Sequence, residues 1–494
     1  MNINELPKEQ LLLLLKQKPE TWNQLRKAFP DYVPNLSKQD LGGCDLSGVD
    51  LSKVNFIRAN LNGANLSKCR LNSANLINAE LAGVNFSGAT LTDANLQNAN
   101  LAGANFNRVE LSRVNFTGAT LRGALLNRVD LAQATLLNAD LSDANLLHAD
   151  LSQAHMEGAR LVNANCTHAD LTGVHAAQCD FSGAILNEAR LHEAALAKAS
   201  FHLANLSWAD LSKADLRGAR FVKSDLGEAD LSEAVLEDAT FEEAVMRGAD
   251  LSGASLVGAR LFRSVLDNVH FEETRFGETW LVNTSLAGAE GTGNSLFLAP
   301  CSLDHRTLLR SPGLAKSFLQ GAGLPDVFFE SVAQARVSYC ACYLAYSNYS
   351  GPDSELAERL VEGLHREGIR CWLVPYESRE QAGAQNRIAN NRRGLEPLVV
   401  IVSPHSLYSD WLKSEVLHGY FLAQKVGRRL VLPVSVLDDD ELAEWQAVDP
   451  KSGVDAAVSM REGGVPSMGE WREDELFAFA VKNLADKIRA AAKG

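Results

Sequence analysis

Two fold classes are predicted in one chain: a solenoid of short parallel β segments, followed by an α/β domain on a parallel sheet. Three observations carry this. From Leu41 to Leu286 every fifth residue is, with few exceptions, Leu or Phe, a register kept for about 50 steps without an insertion. Phe181, Phe201, Phe221 and Phe241 are spaced by 20, as are Phe86 and Phe106. From Val337 onward the chain alternates strand-like and helix-like segments instead.

A period of five is neither the 3.6 of a helix nor the 2 of a strand. It fits a chain that turns a corner every five residues, so that four sides make a coil of 20. The large apolar residue points inward on each side. Two residues earlier a small residue also points inward, as at Ala59, Ala64, Ala74, Ala79 and Ala89. Asn or Asp often falls between them, and Ser, Thr or Gly often follows, as in Ala229-Asp230-Leu231-Ser232. Coils that stack like strands rise roughly 4.8 Å each, so about 12 of them give a rod on the order of 60 Å long. Phenylalanines 20 apart then stack ring on ring. Cys166 and Ala176 replace the large inward residue and predict a locally thin core; Met156 and Met246 are conservative fills. These residues resemble the pentapeptide-repeat proteins. The resemblance covers about half the chain and implies a right-handed quadrilateral β-helix. It implies no single function: some members are said to mimic DNA and bind topoisomerases, and others are scaffolds.

The 494 residues exceed one core, and the formal net charge is −14. Roughly −4 of this falls from Arg336 onward and roughly −10 before it. An acidic surface argues against nucleic-acid binding and is compatible with DNA mimicry. Cys44, Cys69 and Cys179 occupy the small inward position and Cys166 the large one, so these four are packing residues. Cys301, Cys340, Cys342 and Cys371 lack metal-ligand spacing, and no metal site is expected from them or from Asp438-Asp439-Asp440-Glu441. No disulfides, no membrane span and a cytoplasmic location are expected; Leu11 to Leu15 is too short an apolar run for a signal core.

Four segments follow. Residues 1–38 read as two short helices, Glu9 to Gln17 and Glu20 to Phe29, that cap the solenoid. Residues 39–288 form the rod, in which the small position becomes Thr274, Thr279 and Thr284 near the end. Residues 289–335 are a connector with short helices, where Asp304-His305 suits capping better than catalysis. Residues 336–494 carry strands at Val337 to Ala345, Ile369 to Val374, Pro397 to Ser403 and Arg429 to Leu437. Helices are expected at Ser354 to Glu367, Gln385 to Arg393, Trp411 to Val426 and Glu470 to Ala491. The alternation predicts a flavodoxin-like three-layer domain with ligands at the carboxyl ends of its strands.

Three stretches of that domain resemble a Toll/interleukin-1 receptor (TIR) domain of bacterial type: Leu344-Ala345-Tyr346-Ser347-Asn348, Gly368-Ile369-Arg370-Cys371-Trp372-Leu373 with the polar loop from Pro375 to Gln385, and Val402-Ser403-Pro404-His405 through Trp411 to Glu415. The resemblance implies that Glu415, four residues after Trp411, is the catalytic residue of an NAD+-cleaving enzyme with NAD+ as substrate and no cofactor. Val374 and the late Asp353 depart from the family's pattern. Nicotinamide leaves as a neutral base, so a single carboxylate that steadies the oxocarbenium-like transition state is enough. Spacing of four places Trp411 and Glu415 on one helical face. Tyr346, Ser347 and Asn348, with Trp372 on the next strand and Tyr376 in the loop after it, are the expected substrate-binding residues. The commoner fate of a helical glutamate is a solvated face, and non-catalytic adaptors share this fold. The resemblance further implies activation by self-association through the rod, the TIR domain or both, as in a filament, and a role in bacterial antiphage defence. The alternative is a non-catalytic TIR scaffold whose acidic rod binds a protein partner.

Overall fold

The computed structural model describes residues 8–325, 340–347, 351–376, 397–407, 409–427, 429–450, 452–462 and 465–493. The expected helix from Gln385 to Arg393 and most of the Pro375–Gln385 loop lie outside them. The chain falls into two compact units, 1–332 and 333–494.

In the first unit parallel bridges join each side to the residue 20 positions on, from Asn35↔Asn55 to His270↔Glu290. Each side repeats one local device. The Leu or Phe carbonyl accepts from the amide three residues on, as Leu46 O does from Val49 N at 3.2 Å. The third residue of that turn is left-handed, with φ of 60° at Lys53, 54° at Asn98 and 62° at Trp208. That backbone costs a non-glycine residue roughly 1–2 kcal/mol. The residue before the Leu offsets part of this cost: Asp45 Oδ1 accepts from Ser47 N, and Asn65 Oδ1 from Ser67 N. This local bond explains why Asn and Asp precede the large residue so often. Inside, Phe181, Phe201, Phe221 and Phe241 stack at 5.1, 4.9 and 4.8 Å between centroids. The thiols of Cys69 and Cys179 donate to carbonyls of the coil before, and burial pushes them up to about 11 and about 12.

Both ends are closed. Helices α1 (Lys8–Gln17) and α2 (Pro19–Ala28) bury Leu11, Leu15 and Trp22 in the same core as Leu36 and Leu41. Trp22 Nε1 donates to Asp50 O at 2.8 Å, Asn23 exchanges bonds with Gly48 O and Asp50 N, and Arg26 donates to Tyr32 O and Ser52 O. These side chains satisfy backbone groups that the last coil leaves open. At the other end the ladder runs past the expected limit of 288: Ser302–Leu303 pairs with Trp280–Leu281. The segment read as a connector therefore caps the rod. Asp304 N-caps helix α3 (His305–Arg310) and accepts from Asn283 N, so Asp304 is structural. Helix α4 (Lys316–Gly321) seats Phe318 against Phe271, Phe276 and Phe297.

The second unit is a parallel sheet of β1 (Cys340–Ser347), β2 (Ile369–Tyr376), β3 (Leu398–Val402) and β4 (Val431–Ser435) in the order β4-β3-β1-β2. Helix α5 (Gly351–Arg366) follows β1, α6 (Asp410–Val426) follows β3, and α7 (Asp439–Glu444), α8 (Ala456–Glu462) and α9 (Asp474–Lys493) complete the unit. One core joins α5 and α9 to Cys342, Leu344, Val399 and Ile401; the other joins α6 to Ala345, Val400, Val402 and Val431. Alternating side chains thus feed opposite faces of the sheet, each covered by helices. Across β1 and β2 the Sγ atoms of Cys342 and Cys371 lie 3.2 Å apart.

Candidate active site at the carboxyl edge of the sheet

The connection from β1 leads to α5 on one face and that from β3 leads to α6 on the other. The crevice between the carboxyl ends of β1 and β3 is therefore where the strand order reverses, the place where sheets of this kind bind ligands. A buried polar cluster lies there. Ser403, just past β3, donates from Oγ to Asp353 Oδ2 of α5 at 2.6 Å. Ser403 N donates to Ser406 Oγ at 2.7 Å, and Ser406 Oγ donates to Ile401 O at 3.1 Å. These bonds fold residues 403–406 into a fixed turn that delivers the chain to α6. Ser409 N-caps that helix, accepting from Leu412 N, and Gly427 ends it with φ of 72°.

Helix α6 buries Leu412, Glu415, Val416 and Gly419, an i, i+3, i+4, i+7 stripe against the sheet. Glu415 is only 9 % exposed and is the one charged member of that stripe. It lies five residues into the helix, so about 8 Å from its start and near the sheet's carboxyl edge. Gly419 lets the helix sit this low, because a Cβ there would meet Val431 Cγ2 at 2.1 Å. Glu415 is thus a buried carboxylate within an otherwise apolar stripe, the kind of setting in which functional acids are found.

The other expected residues divide. Ser347 is buried at the end of β1 and, by alternation, shares the α6 face with Ala345. Tyr346 packs instead into the core of α5 and α9, on the opposite face. Trp372 is half-exposed at mid-strand in β2, ~13 Å of strand from the carboxyl end, with its ring 5.2 Å from that of Tyr343. Asn348 and the side chains of Trp411 and Tyr376 lie outside the described residues. Sequence reasoning missed Asp353, Ser403 and Ser406 as a bonded set; only the Ser-x-x-Ser spacing after an apolar strand signals it. Two open hollows of about 480 and 510 Å³, one beside Met468 and Phe479 and one beside Arg359 and Phe477, lie away from Glu415.

Comparison with known proteins agrees with both halves. Residues 39–116 match the pentapeptide repeat region family, stretches between 110 and 268 match pentapeptide repeats of eight copies, and residues 347–460 match the TIR domain family. Among solved structures, HetL, a pentapeptide repeat protein involved in heterocyst differentiation regulation from the cyanobacterium Nostoc sp., is 30 % identical over 49 % of this chain and 95 % of its own, with a TM-score of 0.22. Full-length QnrB1, a plasmid-mediated fluoroquinolone resistance protein, is 17 % identical over 44 % of this chain and 95 % of its own, with a TM-score of 0.25. A pentapeptide repeat protein of the Arabidopsis thaliana thylakoid lumen is 29 % identical over 24 % of this chain and 68 % of its own, with a TM-score of 0.14. Among curated proteins none matches significantly. No helix among the described residues is long and apolar enough to cross a membrane. The 20-residue coils, the closed ends and the matched segments together place this chain among the pentapeptide-repeat proteins, with a TIR domain as its C-terminal part.

Proposed function

We propose that the TIR domain is an NAD+ glycohydrolase whose catalytic residue is Glu415. The observation that carries this reading is the burial of Glu415 on the sheet-facing stripe of α6, within the first turns after the carboxyl end of β3. In the reaction the bond between nicotinamide nitrogen and ribose C1′ breaks, and its electron pair leaves with nicotinamide, which becomes neutral. The Glu415 carboxylate holds the ribose hydroxyls and offsets the positive charge that grows at C1′. Water then adds to C1′ and releases a proton, giving ADP-ribose. Ser347 lines the same edge, and the Asp353–Ser403–Ser406 bonds hold the loop that positions α6. The strand order is that of flavodoxin-like sheets, which supports placing the ligand at this crevice. The rod serves self-association, raising the local concentration of TIR domains so that neighbours complete one another's sites, and a role in antiphage defence fits such a switch.

Purified full-length protein incubated with NAD+ should release nicotinamide, and Glu415→Gln should release it far more slowly. Equal release by both proteins, or none by wild type at any protein concentration, would overturn the assignment and leave the TIR domain as a non-catalytic scaffold.

A further inference from the structure

On one side of the rod four successive coils, at Thr135, His155, His175 and Ala195, lack the turn-closing Asn or Asp, and the middle two carry histidine. The position that elsewhere holds the turn-closing Asn or Asp, as at Asn145, Asp150, Asn165 and Asp170, is His155 and then His175. Neither imidazole makes the short bond that those residues make to the amide two positions on. The contact is absent from four adjacent coils, and the middle two present imidazoles in its place. His155 and His175 are bridge partners, and their rings stack at 4.6 Å and 13°. Glu157, two residues after His155, joins them, with ligand-type atoms of all three within 4.8 Å of one another.

The carboxylate is not otherwise employed. Glu157 Oε1 is 3.9 Å from His155 Nδ1, beyond hydrogen-bond range, and Glu157 Oε2 is shielded from solvent with no hydrogen-bond partner. An acceptor oxygen taken from water without a donor is destabilising. The side chain of His175 has no hydrogen-bond partner among the described residues, whereas His192 is paired with Ser212 Oγ at 2.8 Å. Ala177 and Ala195 stand beside the cluster in the following coils and leave its outer side open, and 135–138, 155–158 and 175–178 contain no Lys or Arg to neutralise the carboxylate.

We propose that His155, Glu157 and His175 form a binding site for a divalent transition-metal ion of the zinc, nickel or copper class. Two imidazoles and one carboxylate are the ligand set such ions take, at about 2.0–2.2 Å from the metal, with the fourth position open to water. Coordination requires the stacked rings to turn toward a common point, which their exposure on the outer face permits. The ion supplies the partner that Glu157 Oε2 lacks and ties two coils together on the rod's outer face. Binding needs unprotonated imidazole, so acid weakens it.

The test is calorimetric titration of the full chain with zinc chloride, with cobalt(II) as a spectroscopic probe. One saturable site is expected at micromolar zinc, with a visible cobalt ligand-field band showing nitrogen ligation. His155→Ala and His175→Ala should each weaken binding at least ~10–100-fold, and Glu157→Gln should weaken it measurably. His148→Ala/His168→Ala removes the other stacked pair and should change nothing. Circular dichroism melts of each variant separate lost ligation from lost folding. The proposal is overturned if zinc binds only at millimolar concentration, if folded His155→Ala or His175→Ala binds like wild type, or if the His148/His168 double variant loses the site.

Discussion

The two units handle carboxylates in opposite ways. In the rod, Asp45, Asp150 and Asp230 sit at one repeating position, reach solvent and bond to their own turn. Each does the same local job, and its position in the pentad states what that job is. In the TIR domain, Asp353 and Glu415 are buried, and no period places them. A repeat therefore makes polar residues interchangeable, while a single-copy sheet makes each buried acid particular. Function in the rod is to be sought where the repeat fails, and in the TIR domain where burial contradicts chemistry.

The largest effect tests the rod's side of this contrast. Phe201 stacks between Phe181 and Phe221, so Phe201→Ala removes both ring contacts and leaves a cavity in a closed column. It should cost about 3–5 kcal/mol in urea unfolding. Trp208→Ala, at an outward position 64 % exposed, should stay within about 0.5 kcal/mol. Comparable costs would mean that register does not decide a residue's worth.

Glu415→Gln tests the other side. The amide keeps the shape and removes the charge, so nicotinamide release should fall about 10²–10³-fold. The melting temperature should fall much less than the activity, because the amide keeps the packing. A large fall in stability with proportionate loss of activity would make Glu415 a structural residue.

The sequence made these halves unequally legible. One register in fives placed the inward side chains of the rod, because every coil solves the same packing problem. It did not place the rod's end: the ladder continues to Leu303 through residues whose period is broken, held by Asp304, Thr307 and Phe318. The His155–His175 pair was legible by the same count of 20 that stacks the phenylalanines, but the orphaned Glu157 oxygen beside it was not. In the TIR domain the β1, β3 and α6 segments were legible from apolar runs. The division of Tyr346 from Ser347 follows from strand alternation and was available in the sequence. The Asp353–Ser403 bond was not, because it spans 50 residues and has no local signature.

A smaller effect concerns how far damage spreads. Arg26 is buried in the N-terminal cap and donates to Tyr32 O and Ser52 O. Arg26→Ala should cost roughly 1.5–3 kcal/mol, the range for bonds to a charged donor. Each coil touches only its neighbours, so the loss should remain local. Amide hydrogen exchange should quicken around residues 36–60 and stay unchanged around Phe201. Uniform acceleration along the rod would show that its coils unfold as one cooperative block.

The smallest effect separates rod from sheet by pH. Burial pushes the Cys166 thiol up to about 12. An unfolded chain exposes that thiol near its ordinary value of about 8.5. The unfolded state therefore releases its proton first as pH rises, and the stability that the buried thiol contributes is complete below about pH 8.5 and is lost on the way to about 12. Between pH 9 and 10 wild type should lose about 1 kcal/mol more than Cys166→Met, which fills the same inward position with a side chain that does not ionise. Met156 already occupies that kind of position in the rod, so the variant respects the register. Parallel pH dependence in the two proteins would mean that the thiol ionises freely in the folded rod. The core beside Cys166 and Ala176 would then admit water, and the continuity of the packed column would fail there.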